Sequence, residues 1–111
     1  MRLVNAIVAA WPAGRPLEYV HAPFAAAERP PSTDPRWYAP LRRLRLPDGT
    51  RFVAGVAHED QPLDVQRRLV RRIDELVGAR VGVSTSCGLG RRTPEAAERA
   101  LARIRDLTCD A

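Results

Sequence analysis

Between residues 81 and 95 the chain changes its period within a few positions. Val81, Val83 and Thr85 are β-branched residues spaced by two, the pattern of a strand. Gly88 and Gly90 follow and are read as allowing a tight turn. Thr93 then offers a helix N-cap, and Pro94 suits the first helical position. A strand that runs through a short loop into a helix predicts an α/β layer. Cys87 lies in that loop, at the C-terminal end of the strand, where parallel α/β folds build their active sites.

The same alternation extends through the chain. Leu3, Val4, Ile7, Val8 and Trp11 form a helical stripe, stopped by Pro12 and Gly14. Residues 17–21 make a short strand candidate ended by Pro23, and residues 25–36, with three prolines, read as a long loop. Residues 37–44 suggest a helical turn that anchors it. A turn at Pro47-Asp48-Gly49-Thr50 leads into a second strand over residues 51–58. Val65, Leu69, Val70, Ile73, Leu76 and Val77 follow a 3.6 period up to the fitting C-cap Gly78. Residues 80–85 form the third strand, and Ala97, Ala100, Leu101, Ile104 and Leu107 line a last helix. This order predicts βαβ units on a parallel sheet. Three parallel strands are few for a layer that is normally covered on both faces, so the chain reads as the end of something longer.

Composition narrows the function classes. The 111 residues suit one small domain, and 45% hydrophobic with 28% charged residues is a globular balance. No apolar run approaches the ~20 residues of a membrane span. The opening apolar run is broken by Asn5, which favours an amphipathic helix over an export leader and a cytoplasmic location. All 18 basic residues are arginine, and with 13 interleaved carboxylates they leave a net charge of +5. They are spread along the chain, with few aromatic residues for base stacking, so neither nucleic acid nor a membrane is expected as partner. The two cysteines, Cys87 and Cys109, are expected to stay reduced.

His21, His58 and Cys87 each fall near the C-terminal end of a predicted strand, and in a parallel sheet those ends share one face. Imidazole and thiolate are zinc ligands, although a strand-end histidine also serves as a hydrogen-bonded core residue and a buried thiol as a small hydrophobe. Gly88, Gly90, Arg91 and Arg92, just before a helix N-terminus, suggest a cradle for the anionic part of a small-molecule substrate; the alternative is two solvated arginines. His58-Glu59-Asp60 is either an acid–base cluster, with His58 facing substrate, or a loop that caps the next helix.

The run Val83-Ser84-Thr85-Ser86-Cys87-Gly88-Leu89-Gly90-Arg91-Arg92-Thr93-Pro94-Glu95 resembles the last strand and loop of the cobalamin-independent methionine synthase barrel. Leu17-Glu18-Tyr19-Val20-His21-Ala22-Pro23, Tyr38-Ala39-Pro40-Leu41 and Phe52-Val53-Ala54-Gly55-Val56-Ala57-His58 are similar to segments of methionine-synthase-like proteins in the uroporphyrinogen decarboxylase/methionine synthase superfamily, in the same order. The resemblance implies a (β/α)8 TIM-type barrel, of which residues 1–111 would be a single partial-barrel domain: the C-terminal portion, about three parallel strands with their helices. A complete barrel needs about 250 residues. Cys87 then corresponds to the family's late zinc ligand, and His21 falls near the strand end that supplies a glutamate. The family's earlier His-x-Cys has no counterpart here, and Ser86 stands where the late motif carries an acid.

The expectation is therefore a truncated or split methionine-synthase-like domain. Zinc would be the cofactor, and the reaction a methyl transfer to a thiol once a partner supplies the missing half of the barrel. That partner is either a second copy, in a homo-oligomer, or another protein. The alternatives are a non-catalytic assembly module and an inactive fragment of the same fold.

Overall fold

The computed structural model describes residues 1–26 and 28–109 and is mixed α/β. Its elements are α1 (Arg2–Ala9), β1 (Tyr19–Pro23), β2 (Arg51–Gly55), α2 (Leu63–Val77), β3 (Gly82–Ser84) and α3 (Pro94–Thr108). The strands form one sheet in the order β1-β2-β3, and both pairings are parallel. Two short 3₁₀ helices, Pro35–Trp37 and Ala39–Arg43, lie between β1 and β2. No helix among the described residues is long and apolar enough to cross a membrane.

The sheet has two unequal faces. Val20 pairs with Phe52, Ala22 with Ala54, and Ala54 with Val83, so these side chains share a face. That face meets Leu41 of the second 3₁₀ helix and Leu69, Ile73 and Leu76 of α2 in one apolar core. Phe24 stacks on Tyr38 and meets Phe52 edge-on, which ties the proline-rich loop to the same core. Burial pushes the Tyr38 phenol up to about 12, and its hydroxyl donates to the Ser32 carbonyl. The opposite face is open at Tyr19, His21 and Arg51 and only half-covered at Val53, Gly82 and Ser84.

The helices begin and end where their caps dictate. Thr93 Oγ1 accepts from the Ala96 amide, Pro94 occupies the first turn, and Gly78 closes α2 with φ of 81°. The strands differ from the expected spans for local reasons. β1 runs on through Pro23 because it is an edge strand, where proline is tolerated. β2 stops at Gly55, before the expected residue 58, because the Gln66 side chain takes the Val56 carbonyl (2.9 Å) and the His58 amide (2.9 Å). α1 forms where its stripe predicts but buries no residue fully, leaving Leu3 72% and Ile7 52% exposed. Asn5 fastens it, donating to the Arg43 carbonyl (2.6 Å) and accepting from the Arg45 amide (2.8 Å).

Gly55 is the position where the sheet tolerates no side chain. A Cβ there would lie 2.8 Å from His21 Nε2, 2.9 Å from Ser86 Cα and 3.1 Å from the Ala22 carbonyl oxygen. Gly55→Ala is expected to destabilise the chain by about 1–3 kcal/mol in urea unfolding, through overpacking. Adding His21→Ala should leave most of that loss in place, because two of the three clashes are with backbone. Full recovery in the double variant would contradict this account.

Candidate functional site

The loops after β2 and β3 converge at the C-terminal end of the sheet, and two different groups of residues meet there. The first is buried. Gln66, fully buried on α2, donates from Nε2 to the Val56 carbonyl and to Gln61 Oε1, and its Oε1 accepts from the His58 amide. Gln61 passes the network on to the Pro31 carbonyl (3.0 Å). Arg103 of α3 donates to the His58 carbonyl (2.8 Å) and to the Gln61 carbonyl. The loop after β2 is therefore held from three sides by side chains.

Glu59 and Arg92 join the two loops. Arg92 Nε donates to Glu59 Oε2 at 2.7 Å and Nη2 to Oε1 at 3.2 Å, a two-pronged pair whose side chains are 5% and 4% exposed. Burial by itself would raise the Glu59 carboxyl. The Arg92 hydrogen bonds, Glu59's own amide and the Arg92 charge outweigh it and hold the carboxyl below its ordinary range. Arg92 is raised, first by its hydrogen bond to Glu59.

His58, Glu59 and Asp60 also form the group of three metal-ligating side chains found among the described residues, with ligand atoms within 4.8 Å of one another. Two members of that donor set are already engaged. Both Glu59 oxygens face Arg92, and His58 Nδ1 lies 3.2 Å from the Asp60 amide and 3.5 Å from Glu59 Oε1. Of the two readings of this segment, the arrangement supports a loop locked to its neighbours. His58 is 0% exposed, so its ring lies in the interior.

The second group lies on the open side of the sheet. His21 points to the open face, and its Nε2 lies 3.1 Å from the Thr85 carbonyl, having crossed over Gly55. A carbonyl only accepts, so the hydrogen of this contact is on Nε2, and the other ring nitrogen, Nδ1, is the one that a metal would take in the neutral ring. Cys87 is an exposed free thiol in the loop after β3, and Thr85 Oγ1 donates to its carbonyl (2.5 Å). Thr85 thus contacts both candidate ligand residues. His21 and Cys87 are the right donor types for zinc, but they supply two of the four ligands a closed site takes. Cys109, also a free thiol, follows α3.

The anion cradle is divided between these two environments. Arg91 is exposed, whereas Arg92 is committed to Glu59. Gly88 and Gly90 do not have the tight backbone expected of them. Neither has positive φ, and a Cβ on either would meet nothing within 4 Å. The residues that the sequence reading passed over are Gln61, Gln66 and Arg103. A signal for two of them existed: Gln66 shares the buried stripe of Leu69, Ile73 and Leu76, and Arg103 lies three residues after buried Ala100. Comparison of the chain with known protein families, with curated proteins and with solved structures finds no match.

Breaking the buried pair should be costly. Arg92→Met is expected to lose about 3–5 kcal/mol of stability, since it leaves Glu59 buried and unpaired. Glu59→Met with Arg92→Met should cost less than the two single changes summed. The pH dependence follows from the lowered carboxyl. Unfolded Glu59 takes its proton near pH ~4.3 and the folded group only below that. The pair's contribution is therefore complete above the unfolded value and is lost as pH falls through the folded one. Glu59→Gln should flatten the acid limb of a stability–pH curve; an unchanged acid limb would refute the assignment.

Proposed function

We propose that this chain is a segment of a (β/α)8-type barrel of the methionine-synthase-like kind, completed by strands from outside residues 1–111. The observation that carries the reading is the one-sided parallel sheet. The strands step in one direction, β1-β2-β3, with no reversal of order. Connections between parallel strands are right-handed, so successive crossovers in one direction place their helices on the same face. A doubly wound sheet reverses its order and covers both faces, whereas a barrel keeps one direction and turns its bare face inward. The open face with Tyr19, His21, Arg51 and Val53 suits a barrel interior.

In this reading Cys87 Sγ and His21 Nδ1 are this chain's two ligands to a zinc site shared with a partner. Zinc supplies the acidity that keeps a substrate thiol ionised as the methyl acceptor. The chain's own residues act around it. The Thr85 carbonyl orients His21 through Nε2–H, Gly55 leaves room for the ring, and exposed Arg91 meets an anionic part of the substrate. Arg92 and Glu59 keep the loop that carries Cys87 against the loop after β2. The alternative, a non-catalytic assembly module, is favoured by the exposed stripe of Leu3, Ile7 and Trp11 on and just after α1.

Metal titration against a competing chelator, with mass measured on the same sample, tests the reading. The isolated chain should bind zinc weakly, because two ligands leave half the shell open. Cys87→Ser and His21→Ala should each abolish that binding, and Cys109→Ser should leave it unchanged. Tight one-to-one binding by a monomer would contradict the shared site. Loss of binding in Cys109→Ser but not Cys87→Ser would overturn the ligand assignment. A metal-free oligomer would instead favour the assembly module, and a metal-free monomer an inactive fragment.

A further inference from the structure

The outer edge of β3 carries an unused chemistry of its own. The Ala57 amide donates to the Ser84 carbonyl at 3.0 Å, so Ser84 turns its backbone groups toward the β2 side. Backbone direction alternates along a strand, which turns the N–H and C=O of Val83 outward. The outward amide of Val81 is taken by Asp74 Oδ1 at 2.8 Å. Along this edge runs a groove of about 650 Å³ between β3 and the helices α2 and α3. Val70, Val81, Val83 and Leu107 give it an apolar floor, and Arg51, Arg71 and Arg80 reach it as exposed cations. None of these three forms an ion pair with an acid of the described residues. Arg51 starts on β2. Its Nη2 would lie only 3.7 Å from a Cβ on Gly82, so it extends over the bare backbone of that glycine. A second hollow, of about 410 Å³, shares Arg51, Gly82, Val83 and Thr108 with the groove, so the two meet around the strand edge.

We propose that this edge receives an extended acidic segment of a different polypeptide, added as a strand beside β3. The inference rests on the reading that the sheet is completed from outside, and it names the chemistry of what completes it. The apolar floor suits alternate side chains of a strand, the Val83 backbone groups offer it hydrogen bonds, and the arginines select for carboxylates. A second copy fits poorly, because it would bring another chain of net charge +5 to a cationic groove. A nucleic acid fits poorly too, since Tyr19 of the second hollow is the one aromatic ring among the described residues lining the groove and hollow, too few for a run of stacked bases.

Fluorescence anisotropy on the full chain tests this with labelled peptides of equal length: alternating Glu-Val, alternating Lys-Val, and polyglutamate. Inorganic pyrophosphate and a single-stranded DNA serve as competitors. The Glu-Val peptide should bind, more weakly as salt rises, and Lys-Val should not. The combined variant Arg51→Gln, Arg71→Gln, Arg80→Gln should weaken binding by about tenfold or more. Val83→Pro removes the outward N–H together with one side chain of the floor, at a place where an edge strand accepts proline, and should weaken it likewise. Circular dichroism checks the fold of each variant; if Val83→Pro unfolds, the arginine variant and the peptide series decide. Equal binding of Glu-Val and Lys-Val would overturn the acidic partner while leaving the completed sheet standing. Equal binding of polyglutamate, or full displacement by pyrophosphate or DNA with Val83→Pro unaffected, would make the groove a general anion site and overturn strand addition. Absence of binding by every peptide would overturn the proposal outright.

Discussion

The Gln66 carboxamide is the interaction on which the functional end of the molecule depends. It ends β2 by substituting for a neighbouring strand, accepting from one backbone group of the loop and donating to another. An amide is well suited to this, because one side chain carries both a donor and an acceptor. With the carboxamide in place, His58 is turned into the interior and Glu59 is presented to Arg92. The loop after β2 and the loop after β3 are thereby fixed relative to each other before any ligand arrives. A buried network of this kind is secure only when its members are satisfied, which is why so many side chains converge on so few backbone groups.

That fixed end sits on a sheet finished on one side only. Apolar residues of one face are buried under α2 and the 3₁₀ segment, while the other face offers a tyrosine, a histidine and an arginine to solvent. The two kinds of polarity are thus separated by the thickness of one sheet. Behind it, polar groups hold loops together. In front of it, polar groups remain available. The proposed zinc ligands His21 and Cys87 belong to the second set, and Thr85 is the residue that contacts both.

Much of the fold was legible because helix period and caps are local. The stripe of α2, its Gly78 stop and the Thr93-Pro94 start of α3 all lie in sequence where they act. The parallel order followed from the alternation of elements. Strand ends were less legible, since β2 is cut short by a side chain eleven residues beyond Gly55, which no strand periodicity encodes. At the site, the position of Cys87 and the loop character of His58-Glu59-Asp60 could be read. The separation of Arg91 from Arg92 could not, because adjacent arginines look alike until a partner 33 residues away claims one of them. Gly55 was missed in favour of Gly88 and Gly90, whose loop setting suggested constraint that the backbone does not need.

The Asn5 tether of α1 has a thermodynamic consequence. A helix that buries no residue fully, and whose side-chain hydrogen bonds to the body come from Asn5, adds little to global stability, so its opening need not wait for the core to open. Amide protons of α1 should therefore exchange with solvent through local opening, while those of β2 and α2 exchange only when the whole core is lost. The chain thus carries two stabilities, and the less stable unit is the one that displays Leu3 and Ile7.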